Sequence, residues 1–260
     1  MQLWTYEHVI AILPALFCML ASASLLRHFL KDKPLHIRMI PFQIISILLL
    51  VLEVGKQIIS LIRGYDLYHL PFHFCSLFIF MMPLMSFYKG KYVAQIRNIT
   101  ATICTSVVIL MAIYPNLIFS TNDVDTFSQN YMAFHTVVFH NFVIFAWILI
   151  LALDLSNIAC PKVHSSIALF TIGFCLVSAI MAQVLQTNFN NFYSCNVPPL
   201  ENLRLQLQQT LGYGVTQICY VLIVTLLDIG FVQVSFLLFQ AIRKYTSIQN
   251  MPQNKNLAVN

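Results

Sequence analysis

Apolar residues in this chain fall into long unbroken runs, each closed by a short polar segment. Seven runs stand out, near 8–26, 40–62, 71–88, 99–119, 135–153, 165–186 and 211–241. A helix needs roughly 18–20 apolar residues to cross hydrocarbon, and each run approaches or passes that length. A membrane barrel would instead show alternating segments of about ten residues, which are absent. Inside a bilayer a helix satisfies its own backbone groups. The pattern therefore predicts an all-α polytopic membrane protein, with seven transmembrane helices in residues 1–244 and a polar tail in 245–260. The seventh run is the longest and contains Asp228 and Gly230, which predicts tilt, a kink or an extension beyond the membrane. The halves show no internal repeat of the kind that builds many transporters.

Composition agrees with the pattern. Apolar residues make up 59% of the 260 and charged residues 9%, whereas soluble domains carry about 25% charged residues. A soluble or disordered chain is excluded. The net charge of +5 is spread over several loops, so it reads as a topology signal rather than a nucleic-acid surface. Arg27, Lys31, Lys33 and Arg38 face a single Asp32 in the first loop, and Lys89, Lys91 and Arg97 stand in the third. The fifth holds Lys162 against Asp154, and Arg243 and Lys244 open the tail. The even loops are neutral or acidic, with Asp123 and Asp125 in the fourth and Glu201 beside Arg204 in the sixth. The positive-inside rule then puts the N-terminus outside and the C-terminus in the cytoplasm. Ala21-Ser22-Ala23 resembles a signal-peptidase site, but residues 1–7 carry no Lys or Arg, so an uncleaved first helix is expected. Of seven cysteines, Cys18, Cys75, Cys104, Cys175 and Cys219 lie in apolar runs, where a thiol acts as a small hydrophobe and no disulfide framework is expected.

Polar residues inside the runs gather toward the outer half. They include Glu53, Lys56 and Gln57 in the second run, His69, His73 and Cys75 at the start of the third, and Asn116 closing the fourth. His135, His140 and Asn141 open the fifth, Gln183, Asn188 and Asn191 close the sixth, and Gln209, Tyr213 and Gln217 lead into the seventh. Ionisable groups at such depth are expensive and point to function. Glu53 and Lys56 at i, i+3 share a helix face and can pair, either structurally or in catalysis. Asp228 reads as a packing residue.

His69-Leu-Pro-Phe-His73-Phe-Cys75-Ser76 carries the most chemistry. Pro71 suits the first turn of a helix, which would place Cys75 on the second turn near the positive dipole end, where a thiolate is favoured. His73 would point to another face, so a histidine from the fifth run is the freer base. A metal-dependent hydrolase is a second reading, with His69, His73 and His135 as ligands. Pro71 argues against a helical His69–His73 pair.

The stretch from His69 to Ser76 resembles the Leu-Pro-x-x-x-Cys signature of the YwaF-like integral membrane proteins, a family similar to an animal transmembrane phospholipid acyltransferase family. Tyr114-Pro115-Asn116, Phe134-His135 through His140-Asn141, and Asn191-Phe192-Tyr193 through Pro198, then Leu211-Gly212-Tyr213, extend the likeness over about residues 40–225. The resemblance implies a multi-pass acyltransferase that needs no cofactor and works through a thioester on Cys75. His140 would be the base with His135 second, and Glu53, Lys56, His73, Asn116, Asn141 and Tyr213 would support or bind substrate. Its partners would be a phospholipid donor and a lysophospholipid acceptor. The competing class is a non-enzymatic binding or transport protein with the same topology and a polar cavity.

Overall fold

The computed structural model describes residues 6–115, 118–119, 126–155 and 162–249. The described residues are helical with no strand, as the unbroken apolar runs require. The helices are α1 (Tyr6–Leu30), α2 (Leu35–Arg38), α3 (Ile40–Ile62), α4 (Phe78–Phe87) and α5 (Val93–Ile113). They continue with α6 (Tyr131–Ala152), α7 (Val163–Leu185), α8 (Pro198–Leu211) and α9 (Tyr213–Gln249). Six of the seven expected runs form helices long and apolar enough to cross a membrane, so this is an integral multi-pass membrane protein.

The run near 71–88 is different. Its backbone bends at Pro71 outside any helix, makes a 3₁₀ turn at Phe74–Leu77 and becomes α-helical only from Phe78. From Phe74 to Phe87 it spans roughly 21–24 Å, less than the roughly 30 Å of a hydrocarbon core. Pro71 therefore precedes the helix instead of opening it. At the C-terminus α9 is one uninterrupted helix through Asp228 and Gly230, and it continues to Gln249, past the expected start of the tail.

Side-chain contacts set the direction of each helix. Ser46 near the start of α3 meets Ser86 near the end of α4 at 3.0 Å. Arg38 donates to the Leu153 carbonyl just after α6 at 3.0 Å, and Arg243 of α9 pairs with Asp154 at 2.7 Å. The segments around Arg38, Ser86, Asp154 and Arg243 thus share one end of the bundle. The opposite end collects the C-terminal half of α3, the 63–77 segment, the start of α6 and the 186–197 segment.

At the centre stands α5, which packs against α4, α6, α7 and α9. Its inner positions are small or hydroxylated: Thr100, Ala101, Thr102, Cys104, Thr105 and Ser106 are all buried. Small residues let helices approach closely in a bilayer, where hydrophobic exclusion gives no driving force between them. The hydroxyls cost little because each donates back to its own helix, as Thr102 does to the Asn98 carbonyl at 2.7 Å and Thr105 to Ala101 at 2.8 Å. Around this helix the core closes with Phe42, Leu49, Phe78, Met82, Val143, Phe236 and Phe239. By contrast α1 touches the bundle mainly through α6. Its buried Ala23 lies in the core, within the cleavage-like tripeptide.

Gly55 marks the tightest crossing, between α3 and α6. A Cβ there would overlap the hydroxyl of Tyr131, which donates to the Leu52 carbonyl at 3.1 Å. Gly55→Ala should destabilise the protein by about 1–3 kcal/mol, the usual cost of overpacking. Adding Tyr131→Ala should recover much of the loss, and thermal unfolding in detergent micelles checks both variants.

Candidate functional site

Two irregular segments dip between the helix ends and carry the site. The first, residues 63–77, is tied to α3: Gln57 donates to the His69 carbonyl at 2.8 Å, and Ser60 meets His69 Nδ1 at 2.7 Å. The second, 186–197, reverses through Gln186, Asn190 and Asn191, all with positive φ. Asparagine tolerates that conformation better than most residues. Phe189 and Phe192 anchor this segment in an apolar cluster with Cys175 and Ala182. Asn190 then joins the two segments. Its Oδ1 accepts from the Phe74 amide at 2.7 Å, and its Nδ2 donates to the Phe72 carbonyl at 2.7 Å and to Ser178 at 2.8 Å. Asn190 together with Ser178 of α7 thereby fixes the backbone on either side of His73.

A cavity of about 160 Å³ opens beside this backbone, lined by Glu53, Lys56, Tyr68, His69, His73, Cys75, Ser76, Ile118, His135, Thr136, Phe139 and His140. Both expected catalytic partners, Cys75 and His140, therefore line one space, with His135 beside them. Asn141 does not join them: it donates to the Val137 carbonyl of its own helix at 2.7 Å. Tyr213 is also elsewhere, bonded to Gln183 at 3.0 Å and half exposed. Asn116 lies outside the described residues.

His140 is almost fully buried at 4% exposure. Its Nδ1 is 2.7 Å from the Thr136 carbonyl. A carbonyl only accepts, so Nδ1 carries the proton and Nε2 presents a lone pair. Among the described residues Nε2 has no hydrogen-bond partner. Phe119 and Phe139 hold the ring edge-to-face at 5.4 and 5.6 Å. The two histidines of α6 thus differ. His135 places Nε2 at 3.3 Å from Glu53 Oε2, a charge contact without the alignment of a hydrogen bond. Glu53 also binds Lys56 at 2.8 Å and Gln57 at 2.7 Å, and Gln57 accepts from Tyr65 at 2.6 Å. The Glu53–Lys56 pair forms as its spacing predicts, within α3.

Cys75 sits in the 3₁₀ turn Phe74–Leu77, three residues before α4, and not on the second turn of an α-helix. Activation by an α-helix dipole thus loses its geometric basis, and a neighbouring base carries the argument for reactivity. His73 Nε2 donates to the Tyr68 carbonyl at 2.9 Å and is committed there. Burial holds the His69 imidazole below its usual pKa. The metal reading finds no geometric support. His69 closes a separate 3₁₀ turn, Leu67–His69, so it shares no helix with His73. Among the described residues no three His, Cys, Asp or Glu side chains are grouped to hold an ion.

Sequence reasoning missed a larger neighbouring space. Cys75, Tyr68, His73 and Ile118 also border a cavity of about 300 Å³ that reaches Val107 of α5, Asn188, Asn190, Asn191 and Asp228. Asp228, expected only to pack, lines this cavity and accepts from the Cys175 thiol at 3.6 Å. The run Asn188-Phe-Asn190-Asn191 after a spanning helix was the available signal, since amides that deep must have partners.

Residues 3–243 match the model of the TMEM164 family. No curated protein and no solved structure matches the chain.

The Glu53–Lys56 pair makes a direct stability prediction. Glu53→Gln strands a buried ammonium and should cost about 3–5 kcal/mol. Combining it with Lys56→Met removes the stranded charge and should restore most of that loss. Thermal unfolding of the two single variants and the double in micelles decides it, and additive losses would contradict the pairing.

Proposed function

Because the chain belongs to the TMEM164 family, a family of transmembrane proteins, we propose that it is a membrane acyltransferase that moves a fatty acyl chain between phospholipids through a thioester on Cys75. One observation carries this reading. Cys75 and a buried His140 with a free Nε2 line the same cavity, and thiol chemistry needs a nucleophile beside a base.

In the proposed cycle Nε2 of His140 takes the Cys75 thiol proton as Sγ attacks the ester carbonyl of a donor phospholipid. The carbonyl–oxygen bond breaks, the imidazolium returns the proton to the departing glycerol oxygen, and a lysophospholipid leaves. A second lysophospholipid then gives its hydroxyl proton to Nε2 while its oxygen attacks the thioester. The carbon–sulfur bond breaks, and the thiolate recovers the proton. His135, engaged by Glu53, is the weaker candidate for base. Tyr68, His73 and Lys56 line the space where the reacting ester would lie, and no step requires a cofactor.

We further propose that all seven runs traverse the membrane, with α4 crossing a locally thinned region, the N-terminus outside and the C-terminus in the cytoplasm. The segments around Arg38, Ser86, Asp154 and Arg243 occupy one end of the bundle, and the basic loops belong to those segments. The cavity then opens on the outer side. Labelling of single cysteines at Lys91 and Asp123 tests this: reagent access from opposite sides is expected, and access from one side would defeat it.

Cys75→Ser replaces the thiol with a hydroxyl and should abolish transfer while folding stays intact. Cys104→Ala should keep activity, since that thiol is packed in the core. Removing the base with His140→Ala should slow transfer by about 10²–10⁴-fold. Mass spectrometry of the protein after incubation with a phospholipid donor should find an acyl adduct on Cys75. Absence of the adduct, together with full activity of Cys75→Ser, would sink the thioester and favour a binding or transport role.

A further inference from the structure

A further cavity among the described residues lies away from the histidines. It has a volume of about 420 Å³ and runs between α8 and α9, within the roughly 300–1,000 Å³ of small-molecule sites. On the α8 side it is lined by Leu200, Leu203, Leu207 and Leu211. Their i, i+3, i+7, i+11 spacing puts them on one face of a helix whose other residues are largely Asn, Gln and Thr. No residue of α8 is buried, and these four leucines stay 44–55% exposed. An amphipathic helix has therefore turned its apolar face toward α9 without closing the gap.

Gly212, at φ +79, makes the reversal that lays α8 back along α9. Arg204 fixes it there through Gln217 of α9 at 3.0 Å, and within α8 it binds both carboxylate oxygens of Glu201 at 2.6 and 2.8 Å. The charged groups lining this cavity are thus already engaged, Arg204 with Glu201 and Asp228 with Cys175. Two buried oxygens on its wall, Asn191 Oδ1 and Thr216 Oγ1, have no hydrogen-bond partner among the described residues, and the rest of the lining is mainly apolar. Asn190, Asn191, Leu227 and Asp228 also border the cavity that Cys75 lines, so the apolar space abuts the compartment of the thiol.

We propose that the α8–α9 cavity binds one hydrocarbon tail of a membrane phospholipid, the tail of the ester presented to Cys75. This rests on the acyl-transfer reading. The 14 residues of α8 rise about 21 Å, enough to flank a tail that fills one leaflet of a roughly 30 Å hydrocarbon core. The exposed leucines of α8 and the facing Ile223, Val224 and Leu227 of α9 supply an apolar wall against which a hydrocarbon tail packs by dispersion contacts. Asn190 and Asn191 stand where tail and ester meet.

The test uses the full chain carrying Cys75→Ser, in phosphatidylcholine nanodiscs doped with a phosphatidylcholine bearing a diazirine near the end of one acyl chain. Illumination followed by peptide mass spectrometry should place cross-links on Leu203, Leu207 and Val224. Leu207→Trp fills the space and should lower labelling of Val224 by about fivefold or more. Labelling of Leu222 and Leu226, which face away from the cavity, should not change. Leu203→Trp repeats the test at a second exposed position. Unchanged Val224 labelling in both tryptophan variants, or labels only on outward residues, overturns the tail site. Since the serine protein forms no thioester, this result is independent of the chemistry. A tail site without any acyl adduct in the Cys75 protein would leave the cavity assignment standing and remove the acyltransferase reading.

Discussion

A polar group in hydrocarbon must find its partner inside the protein, and the fold follows from where this chain breaks helical pairing. Two stretches, 63–77 and 186–197, leave the helix between spanning elements, so their carbonyls and amides need other partners. Gln57, Ser178, Gln183, Asn190, Gln217 and Tyr220 supply them, each from a helix or from the opposite segment. Asn190 alone makes two of these bonds, adds a third to the Ser178 hydroxyl, and joins the two segments. The late start of α4 and the position of Cys75 depend on that bridge, because the backbone around His73 is paired sideways instead of helically.

The same constraint separates the interior into two chemistries. Where α3, α6 and the 63–77 segment meet, Glu53 binds Lys56 and Gln57 and makes a charge contact with His135, while His140 Nε2 stays buried with neither a hydrogen-bond partner nor a charge contact among the described residues. Where α8 folds back on α9, charges are engaged at the walls and leucines face open space. Cys75 borders the polar compartment and the intermediate one, and Asp228 borders the intermediate and the apolar one. A lipid has the same division, polar at the ester and apolar along the tail. That correspondence, together with a thiol at the junction, makes lipid acyl transfer a more economical reading than recognition alone.

Several features were legible in the chain itself. Unbroken apolar runs dictate helices because no other open structure satisfies a backbone in a bilayer, and six runs became helices of spanning length. Spacing was enough for the Glu53–Lys56 and Glu201–Arg204 pairs, since i, i+3 on a helix brings side chains together wherever the helix goes. Cys75, His135 and His140 could be singled out because thiols and imidazoles near helix ends at one depth are rarely only packing.

Tertiary structure decided the rest, and it did so through contacts between residues distant in sequence. Asn190 and Phe74 are 116 positions apart, yet their hydrogen bond holds Cys75 in a 3₁₀ turn where local preference around Pro71 favoured an α-helix. Which histidine Nε2 meets a carboxylate depended on Glu53 reaching His135 from another helix. Asn141 and Tyr213 looked equivalent to the site residues by depth, but rotation about their helices turned each to a different partner. Periodicity reports the depth of a residue and the face it occupies. Which neighbour that face meets is set by how seven apolar segments pack, an arrangement in which α5 takes the centre because its small and hydroxylated residues allow the closest approach.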